Sequence, residues 1–245
     1  MQKNKINIQQ IEFKYSGNIH SSELPSDCTV IGKNIIQYKP TSSVNDEAAC
    51  KLYRDIESIF VLKLILNDEP YELRYFKWII LDERGFDREI HFSDGTYTIG
   101  IRNYEANSIK INDTYLFNFQ NKIKKSNEFL KEINIWLKDD DLAYMIDSYN
   151  IGRRKGTEEL FYMYSVYECL KYKYKNGEKF IVNILGLKKD DNKFVHNYCN
   201  NKNIRISRHS GRNAGKGSEV GGVELQKLRS IIKELIIRYA YYLNC

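Results

Sequence analysis

The hydrophobic pattern of this 245-residue chain changes its period once, near residue 122. Before that point apolar and polar residues alternate over short segments bounded by turn residues, a pattern typical of β-strands. From about Asn121 onward apolar residues recur every three or four positions, as in amphipathic helices. The pattern predicts an α+β fold, with a mixed α/β domain containing a small antiparallel sheet over residues 1–122 and an all-α helical bundle over residues 123–245.

The first half is predicted to contain one helix among short strands. Residues 30–38 and 71–81 are predicted strands, and residues 46–66 form a helical pattern between them. Two hairpins are expected to follow, one turning at Asp94-Gly95 and the other at Asn112-Asp113.

The second half is predicted to be helical throughout. Long helices are expected at residues 127–137, 157–174 and 223–243, with shorter ones at residues 178–187 and 190–200. The run Asp139-Asp140-Asp141 can cap a helix between the first two, because carboxylates accept the unpaired amides of a helix start. Thr157 is expected to open its helix, whose inward face would comprise Leu160, Phe161, Tyr164, Tyr167 and Leu170.

Positive charge is concentrated in the second half of the chain. The net charge is +6, and residues 1–125 carry 17 basic and 17 acidic side chains, so the excess lies beyond them. Residues 193–218, which we call the basic segment, contain no acidic residue and two of the four histidines. Such a segment favours a polyanion such as RNA as partner, although a solvated basic surface explains it equally well.

The centre of the basic segment contains the best candidates for catalysis. His209 is adjacent to Arg208 and lies four positions after Arg205. An imidazole can transfer a proton near neutral pH, while guanidinium groups stabilise charge on a phosphate in the transition state. With RNA the nucleophile would be the substrate's own 2′-hydroxyl, so we expect no metal and no cofactor. The structural alternative is that His209 caps a helix end and Arg208 lies on the surface.

Four further residues of the basic segment are candidates for nucleic-acid binding: Arg212, Lys216, Lys202 and His196. The glycine-rich loop around Arg212 and Lys216 could contact phosphates through backbone amides, or could be a plain connector. It is not a P-loop, because its glycine and lysine spacing differs from that motif and no apolar strand precedes it. His196 is alternatively a residue of a helix face.

The predicted helix at residues 157–174 has other groups that could take part. Tyr172 and Tyr174 could stack on unpaired bases, whereas Tyr164 and Tyr167 fall on the apolar face and are expected in the core. One of three acidic residues could orient an arginine or histidine of the later segment, but spacing does not select among Glu158, Glu159 and Glu168. His20 and His91, in the first half, are expected to be structural or surface residues.

The compartment is predicted from what the sequence lacks. There is no signal-peptide pattern at the start and no apolar run long enough to cross a membrane. The five cysteines are odd in number, scattered and without a Cys-x-x-Cys pair. We therefore expect a cytoplasmic protein with reduced thiols, no zinc site and no membrane partner.

The carboxy-terminal half resembles the HEPN superfamily, in particular the Apea-like helical domains of bacterial proteins. The resemblance runs over residues 142–243 and rests on a tyrosine-rich helix ending in Glu168-Cys169-Leu170-Lys171-Tyr172, on Arg208-His209-Ser210, on a glycine-rich gap, and on a terminal helix with Tyr239-x-x-Tyr242. It implies a helical bundle that often dimerises and cleaves RNA without a metal through paired Arg and His residues, in phage defence or growth arrest.

Two functions stay open after this resemblance. Arg205 and His209 have three residues between them, fewer than in the active family pattern. The first function is a HEPN-like, metal-independent endoribonuclease with His209, Arg208 and Arg205 at its centre, acting as a homodimer. The second is a catalytically silent module that binds RNA, nucleotide or protein, or a structural subunit of a defence complex. In either case the amino-terminal domain would sense a signal or bind a protein partner.

Overall fold

The chain divides into two compact units in a computed structural model that describes residues 7–81, 87–92, 139–200 and 219–243. We call Met1–Asn127 the sheet unit and Glu128–Cys245 the helical unit. A small antiparallel sheet precedes a helical region, which confirms the predicted α+β class. The boundary predicted near residue 122 lies outside the described residues and stays a prediction.

The sheet unit contains a five-stranded antiparallel sheet in the order β2-β3-β1-β4-β5. Its strands are β1 Asn7–Ser16, β2 Cys28–Ile31, β3 Ile35–Tyr38, β4 Glu72–Leu81 and β5 Asp87–His91. The central strand β1 was not among the predicted elements. Its alternating apolar residues Ile11, Phe13 and Tyr15 are buried, so the period-2 pattern was present in the sequence.

The single described α-helix of the sheet unit, α1 Asp46–Asn67, packs on one face of this sheet, and a short 3-10 helix at Ser21–Glu23 precedes β2. Asn45 caps its start by accepting the amide of Ala48 at 2.8 Å. It ends at Asp68, whose left-handed φ of 63° stops the helix. The predicted helix at residues 46–66 is therefore confirmed to within one residue.

The single strand predicted at residues 30–38 is wrong. Two strands, β2 and β3, form a hairpin there, and Gly32 in the turn has a φ of +64°, which favours glycine. The strand predicted at residues 71–81 is confirmed as β4. β5 pairs with β4, and the turns predicted at Asp94-Gly95 and Asn112-Asp113 lie outside the described residues, as does the helix predicted at residues 127–137.

The helical unit consists, in its described part, of two long antiparallel neighbours followed by shorter helices and a long terminal one. They are α2 Asp140–Lys155, α3 Glu159–Lys173, α4 Gly177–Lys179 continuing into a π-helical turn at Phe180–Ile184, α5 Lys189–Cys199 and α6 Gly222–Tyr242. Asp139 caps α2 by accepting the amide of Leu142 at 2.7 Å, as predicted. The helices α2 and α3 approach closely at Gly152, where a Cβ atom would lie 2.9 Å from that of Tyr162.

Two predicted details of α3 are wrong. Thr157 does not open the helix, because its hydroxyl donates to the carbonyl of Lys155 in the preceding turn. Phe161 does not face inward, because it lies at the edge of the buried stripe and is 46% exposed. The remaining predicted inward residues, Leu160, Tyr164, Tyr167 and Leu170, are buried.

The terminal helix α6 buries one apolar stripe, as its spacing predicts. Leu228, Ile232, Leu235 and Tyr239 are buried, whereas Val223 and Tyr242 are exposed. In the described ranges, none of the helices combines the length and the apolar character that crossing a bilayer requires.

Candidate nucleic-acid interface

The structure describes both flanks of the basic segment but not its centre. His196, in the last turn of α5, is the one predicted site residue among the described residues. The other six lie outside them: His209, Arg208, Arg205, Arg212, Lys216 and Lys202. The site is therefore built here from the end of α5, the start of α6 and the helices that contact them.

The imidazole of His196 packs against two buried tyrosines of α3. Its ring lies edge-on to those of Tyr164 and Tyr167, with centroid distances of 5.9 and 4.9 Å. The Tyr167 hydroxyl donates to Asn192 Oδ1 at 2.9 Å, so the 3.0 Å contact from His196 Nε2 to that hydroxyl is a bond donated by the histidine. This geometry assigns the Nε2–H tautomer to His196.

Burial keeps the pKa of His196 below its ordinary value. Glu178, 3.5 Å from Nε2, opposes this effect, while the charge of Lys171 adds to it. Lys171 forms an ion pair with Glu178 at 2.9 Å, and that hydrogen bond lowers the pKa of Glu178. His196 is therefore neutral at pH 7 and packs as a residue of the helix face, while contact with nucleic acid stays a prediction.

A buried carboxylate joins three helices near this flank. Glu159, at the start of α3, is 2% exposed and accepts hydrogen bonds from two guanidinium groups. Arg153 of α2 donates to Oε1 at 3.0 Å, and Arg229 of α6 donates to Oε1 and Oε2 at 2.8 Å each. Both carboxylate oxygens therefore accept hydrogen bonds.

Glu159 is one of the three acidic residues that, from the sequence, could orient an arginine or histidine of the basic segment. It binds Arg229, which follows the basic segment, and Arg153, which precedes it by some forty positions in the chain. Sequence spacing could not select it over Glu158 or Glu168, because its partners come from two other helices. Its burial, not its position in α3, distinguishes it.

The last residue of α5, Cys199, is fully buried beside this cluster. Burial raises the pKa of its thiol to about 12, and the charge of Glu159 adds to the rise. Next to it, the side-chain oxygen of Asn200 is buried and has no hydrogen-bond partner in the described part of the chain. An unused acceptor therefore lies where the undescribed centre of the basic segment begins.

The start of α6 is bound to α5 by a second contact. The ammonium group of Lys227 lies 4.3 Å from the ring centroid of Phe194 and 3.8 Å from a carboxylate oxygen of Asp191. Together with the bonds of Arg229 to Glu159, this contact fixes α6 against both α3 and α5. The residues that connect α5 to α6 thus begin and end on a packed scaffold.

The charges of the helical unit are unevenly distributed. Residues 139–200 and 219–243, which include all its described helices, carry fourteen basic and thirteen acidic side chains. Residues 201–218 carry five basic and no acidic side chains. The positive excess of the second half therefore belongs to the connection between α5 and α6.

The tyrosines in α3 and directly after it differ in how far their rings are buried. Tyr164 and Tyr167 are buried, which confirms their predicted place in the core. Tyr174 stacks on Phe180 with a centroid distance of 3.7 Å, so one of its faces is covered. Tyr172 is exposed, with its hydroxyl 3.3 Å from Glu168, and remains the better candidate for base stacking.

Neither metal-ligand geometry nor similarity to known proteins assigns a function to the chain. In the described ranges, no group of three or more His, Cys, Asp or Glu side chains is arranged to hold a metal ion. No family model, curated protein or solved structure matches the chain. The HEPN resemblance therefore rests on the sequence features given above.

Proposed function

We propose that the protein binds RNA through the basic segment of its helical unit, as a HEPN-like module. The observation that carries this proposal is the charge distribution: the described residues of the helical unit are almost neutral, whereas residues 201–218, most of the connection between α5 and α6, carry five cations and no anion. A cationic segment of this kind neutralises phosphates and releases counterions, which supplies most of the affinity for a nucleic acid.

The anchored flanks of the segment support the same proposal. Cys199 is buried at the end of α5, and Arg229 is bound to Glu159 near the start of α6. A segment with fixed ends loses less conformational entropy on binding than a free tail, so more of its electrostatic energy appears as affinity. The partner that fits is a flexible polyanion such as single-stranded RNA.

A second candidate function is metal-independent RNA cleavage. Nε2 of His196 already donates a hydrogen bond to the hydroxyl of Tyr167, so we assign the proton transfers to His209, the other histidine of the basic segment. In this mechanism His209 takes the proton of the 2′-hydroxyl, whose oxygen attacks the phosphorus to form the cyclic phosphate. The P–O5′ bond breaks and the leaving 5′-oxygen takes a proton from water, while Arg205 and Arg208 stabilise the charge that develops on the phosphate.

Binding is tested with the purified full chain and a fluorescent, unstructured RNA. We compare a variant with Arg205→Ala, Arg208→Ala and Arg212→Ala against a matched control with Lys175→Ala, Lys179→Ala and Lys189→Ala, three exposed lysines in the described part of the helical unit. The proposal expects the first variant to lose most of its affinity and the control to keep it. Equal losses in the two variants would refute a role of the basic segment.

Cleavage is tested in the presence of EDTA. The wild-type protein should leave RNA fragments with cyclic phosphate ends, and His209→Ala should leave the RNA intact while still binding it. Intact RNA with the wild-type protein, together with salt-sensitive binding, would identify the catalytically silent module instead.

The cellular setting is also part of the proposal. We place the protein in the cytoplasm as a homodimer acting in phage defence or growth arrest, with the sheet unit binding a protein partner or a signal. Light scattering of the purified chain tests the dimer. Induced expression tests growth arrest: slower growth with the wild-type gene than with His209→Ala supports an active nuclease, and equal growth contradicts it.

A further inference from the structure

The last turns of α5 carry two half-buried aromatic rings that contact each other. Phe194 and Tyr198 are four residues apart, and their ring centroids lie 4.5 Å apart with the ring planes tilted by 37°. Side chains at this spacing are neighbours on one face of a helix. The two rings, which we call the aromatic pair, therefore form a continuous surface on one side of α5.

The aromatic pair lies away from the core contacts of α5. His196, two positions before Tyr198, packs against Tyr164 and Tyr167 of α3. Two positions turn a helix by about 200°, so Tyr198 lies on nearly the opposite side of α5. Among the described residues the Tyr198 ring contacts one other ring, that of Phe194, and its hydroxyl has no hydrogen-bond partner. Part of the Tyr198 ring is therefore accessible to a ligand.

A positive charge lies beside the aromatic pair. The ammonium group of Lys227, in α6, is 4.3 Å from the ring centroid of Phe194, and the Lys227 side chain is half exposed. Its contact with Asp191 is 3.8 Å long, well beyond the length of a strong ionic hydrogen bond, so a phosphate can compete for this ammonium group. An aromatic surface next to a cation is the combination that binds single-stranded nucleic acid.

The aromatic pair also adjoins the most cationic part of the chain. Tyr198 precedes Lys202 by four residues, so their Cα atoms are no more than about 14 Å apart. Residues 201–218 carry five cations and no anion, and His209 is their one aromatic residue. These residues can neutralise phosphates but offer little surface to bases. The aromatic pair has the surface that they lack.

The small size of this surface favours a base over a protein as its ligand. Phe194 and Tyr198 are the only apolar side chains of α5 that are not buried, and the other accessible residues of this helix are polar. A stable protein interface buries about 800 Å² on each partner. A whole aromatic side chain provides only about 150–250 Å², so two half-buried rings are too small for such an interface. One ring is enough for one base.

We propose that a base of the single-stranded RNA bound by the basic segment stacks on Tyr198, while Phe194 supports the ring and Lys227 contacts a neighbouring phosphate. This inference rests on the proposed RNA binding and states how the bases take part in it. Every base has a π-face, so stacking does not distinguish one base from another. It does require an unpaired base, because paired bases are stacked within their duplex.

The test measures the affinity of the full chain for a fluorescent oligouridylate. Tyr198→Leu keeps an apolar side chain beside Phe194 but has no planar ring, and it should lose roughly five- to one-hundred-fold in affinity. Tyr198→Phe keeps the ring and should bind like the wild-type protein. Tyr144→Leu, which removes an exposed tyrosine of α2, is the matched control and should also bind like the wild type.

Two further measurements separate stacking from charge. The dependence of affinity on salt should be the same for Tyr198→Leu and the wild type, because stacking releases no counterions. An oligomer of the same length that has the sugar–phosphate backbone but no bases should bind the wild-type protein more weakly than the oligouridylate does. The comparison of these two oligomers uses the wild-type protein alone, so it does not depend on the folding of a variant.

Failure of the stacking contact differs from failure of RNA binding itself. If the wild-type protein binds the oligouridylate and Tyr198→Leu binds it equally well, the stacking contact is overturned and RNA binding stands. Equal binding of the oligomers with and without bases, or a loss of affinity in Tyr172→Leu in place of Tyr198→Leu, would also overturn it. No binding of either oligomer to the wild-type protein would refute both proposals.

Discussion

Two buried carboxylates, one in each unit, show how differently the same group can be used. Glu159 has both oxygens bound by guanidinium groups from two other helices. Glu12 has one oxygen bound by two amides and a lysine, and the other without a donor in the described structure. The carboxylate of Glu159 joins three helices, whereas that of Glu12 joins neighbouring strands of one sheet through fewer and weaker bonds.

The difference predicts unequal contributions to stability. Removing the shared anion from a buried ion cluster is costly, because charged groups are then left in a poorly hydrated place. Removing only the charge of Glu12 leaves an oxygen that can accept its existing bonds, so the cost in folding is smaller. Variants of the two residues should therefore differ in how much stability they lose.

The largest effect is expected for Glu159→Ala. The variant removes the buried anion that Arg153 and Arg229 share, at a cost of about 3–5 kcal/mol in the free energy of unfolding of the helical unit. Urea unfolding followed by circular dichroism measures it. Glu158→Ala is the control, because Glu158 is exposed and its ion pair with Lys155 contributes little. Similar losses in both variants would show that Glu159 is not the anchor.

A smaller effect should distinguish the two arginines. Arg229 binds Glu159 through two parallel bonds, and Arg153 through one. A lysine cannot reproduce the paired geometry, so Arg229→Lys should lose about 1.5–3 kcal/mol and Arg153→Lys less. The same unfolding experiment ranks them. Should Arg153→Lys be the more damaging, the bidentate pair would not be the main contact.

Glu12→Gln is expected to change the free energy of unfolding by about 1 kcal/mol or less. The amide keeps the shape of the side chain and an oxygen that can accept the bonds from Gln10 and Gln37, while Lys77 keeps Glu89 as a partner. Thermal unfolding of the sheet unit measures the change. A loss as large as that of Glu159→Ala would mean that Glu12 is a second structural anchor.

The smallest effect concerns pH. The folded protein holds the pKa of His196 below its unfolded value of about 6.5, so the unfolded chain takes up the proton first. The stability contributed by this site is present above that value and is lost as the pH falls through it. Between about pH 7.5 and pH 5.5 the wild-type protein should lose more stability than His196→Gln. Parallel losses would show that His196 is not held neutral by its surroundings.

The sequence predicted best those elements whose position depends only on their own residues. α1, β4, the Asp139 cap and the buried stripe of α6 all follow from local periodicity and capping chemistry, and their positions were predicted closely. The split of residues 30–38 into two strands was not predicted, because the turn depends on Gly32 alone within a short apolar run.

The two carboxylates lay beyond prediction for a different reason. Glu12 is defined by neighbours on β3 and β4, and Glu159 by arginines far away in the sequence, so no local spacing could reveal either. His196 was predicted from the sequence as a site residue, but its neutral state depends on its burial against tyrosines of another helix. Residue types indicate which chemistry is available, and packing decides which groups are already used.

RNA binding by the basic segment is tested most directly by the salt dependence of affinity. The logarithm of the binding constant, plotted against the logarithm of salt concentration, has a slope of about −0.7 for each phosphate contact to a single strand. The variant lacking Arg205, Arg208 and Arg212 should have a slope shallower by about 2 than the wild-type protein, and the three-lysine control should match the wild type. An unchanged slope in the arginine variant would contradict the proposed interface.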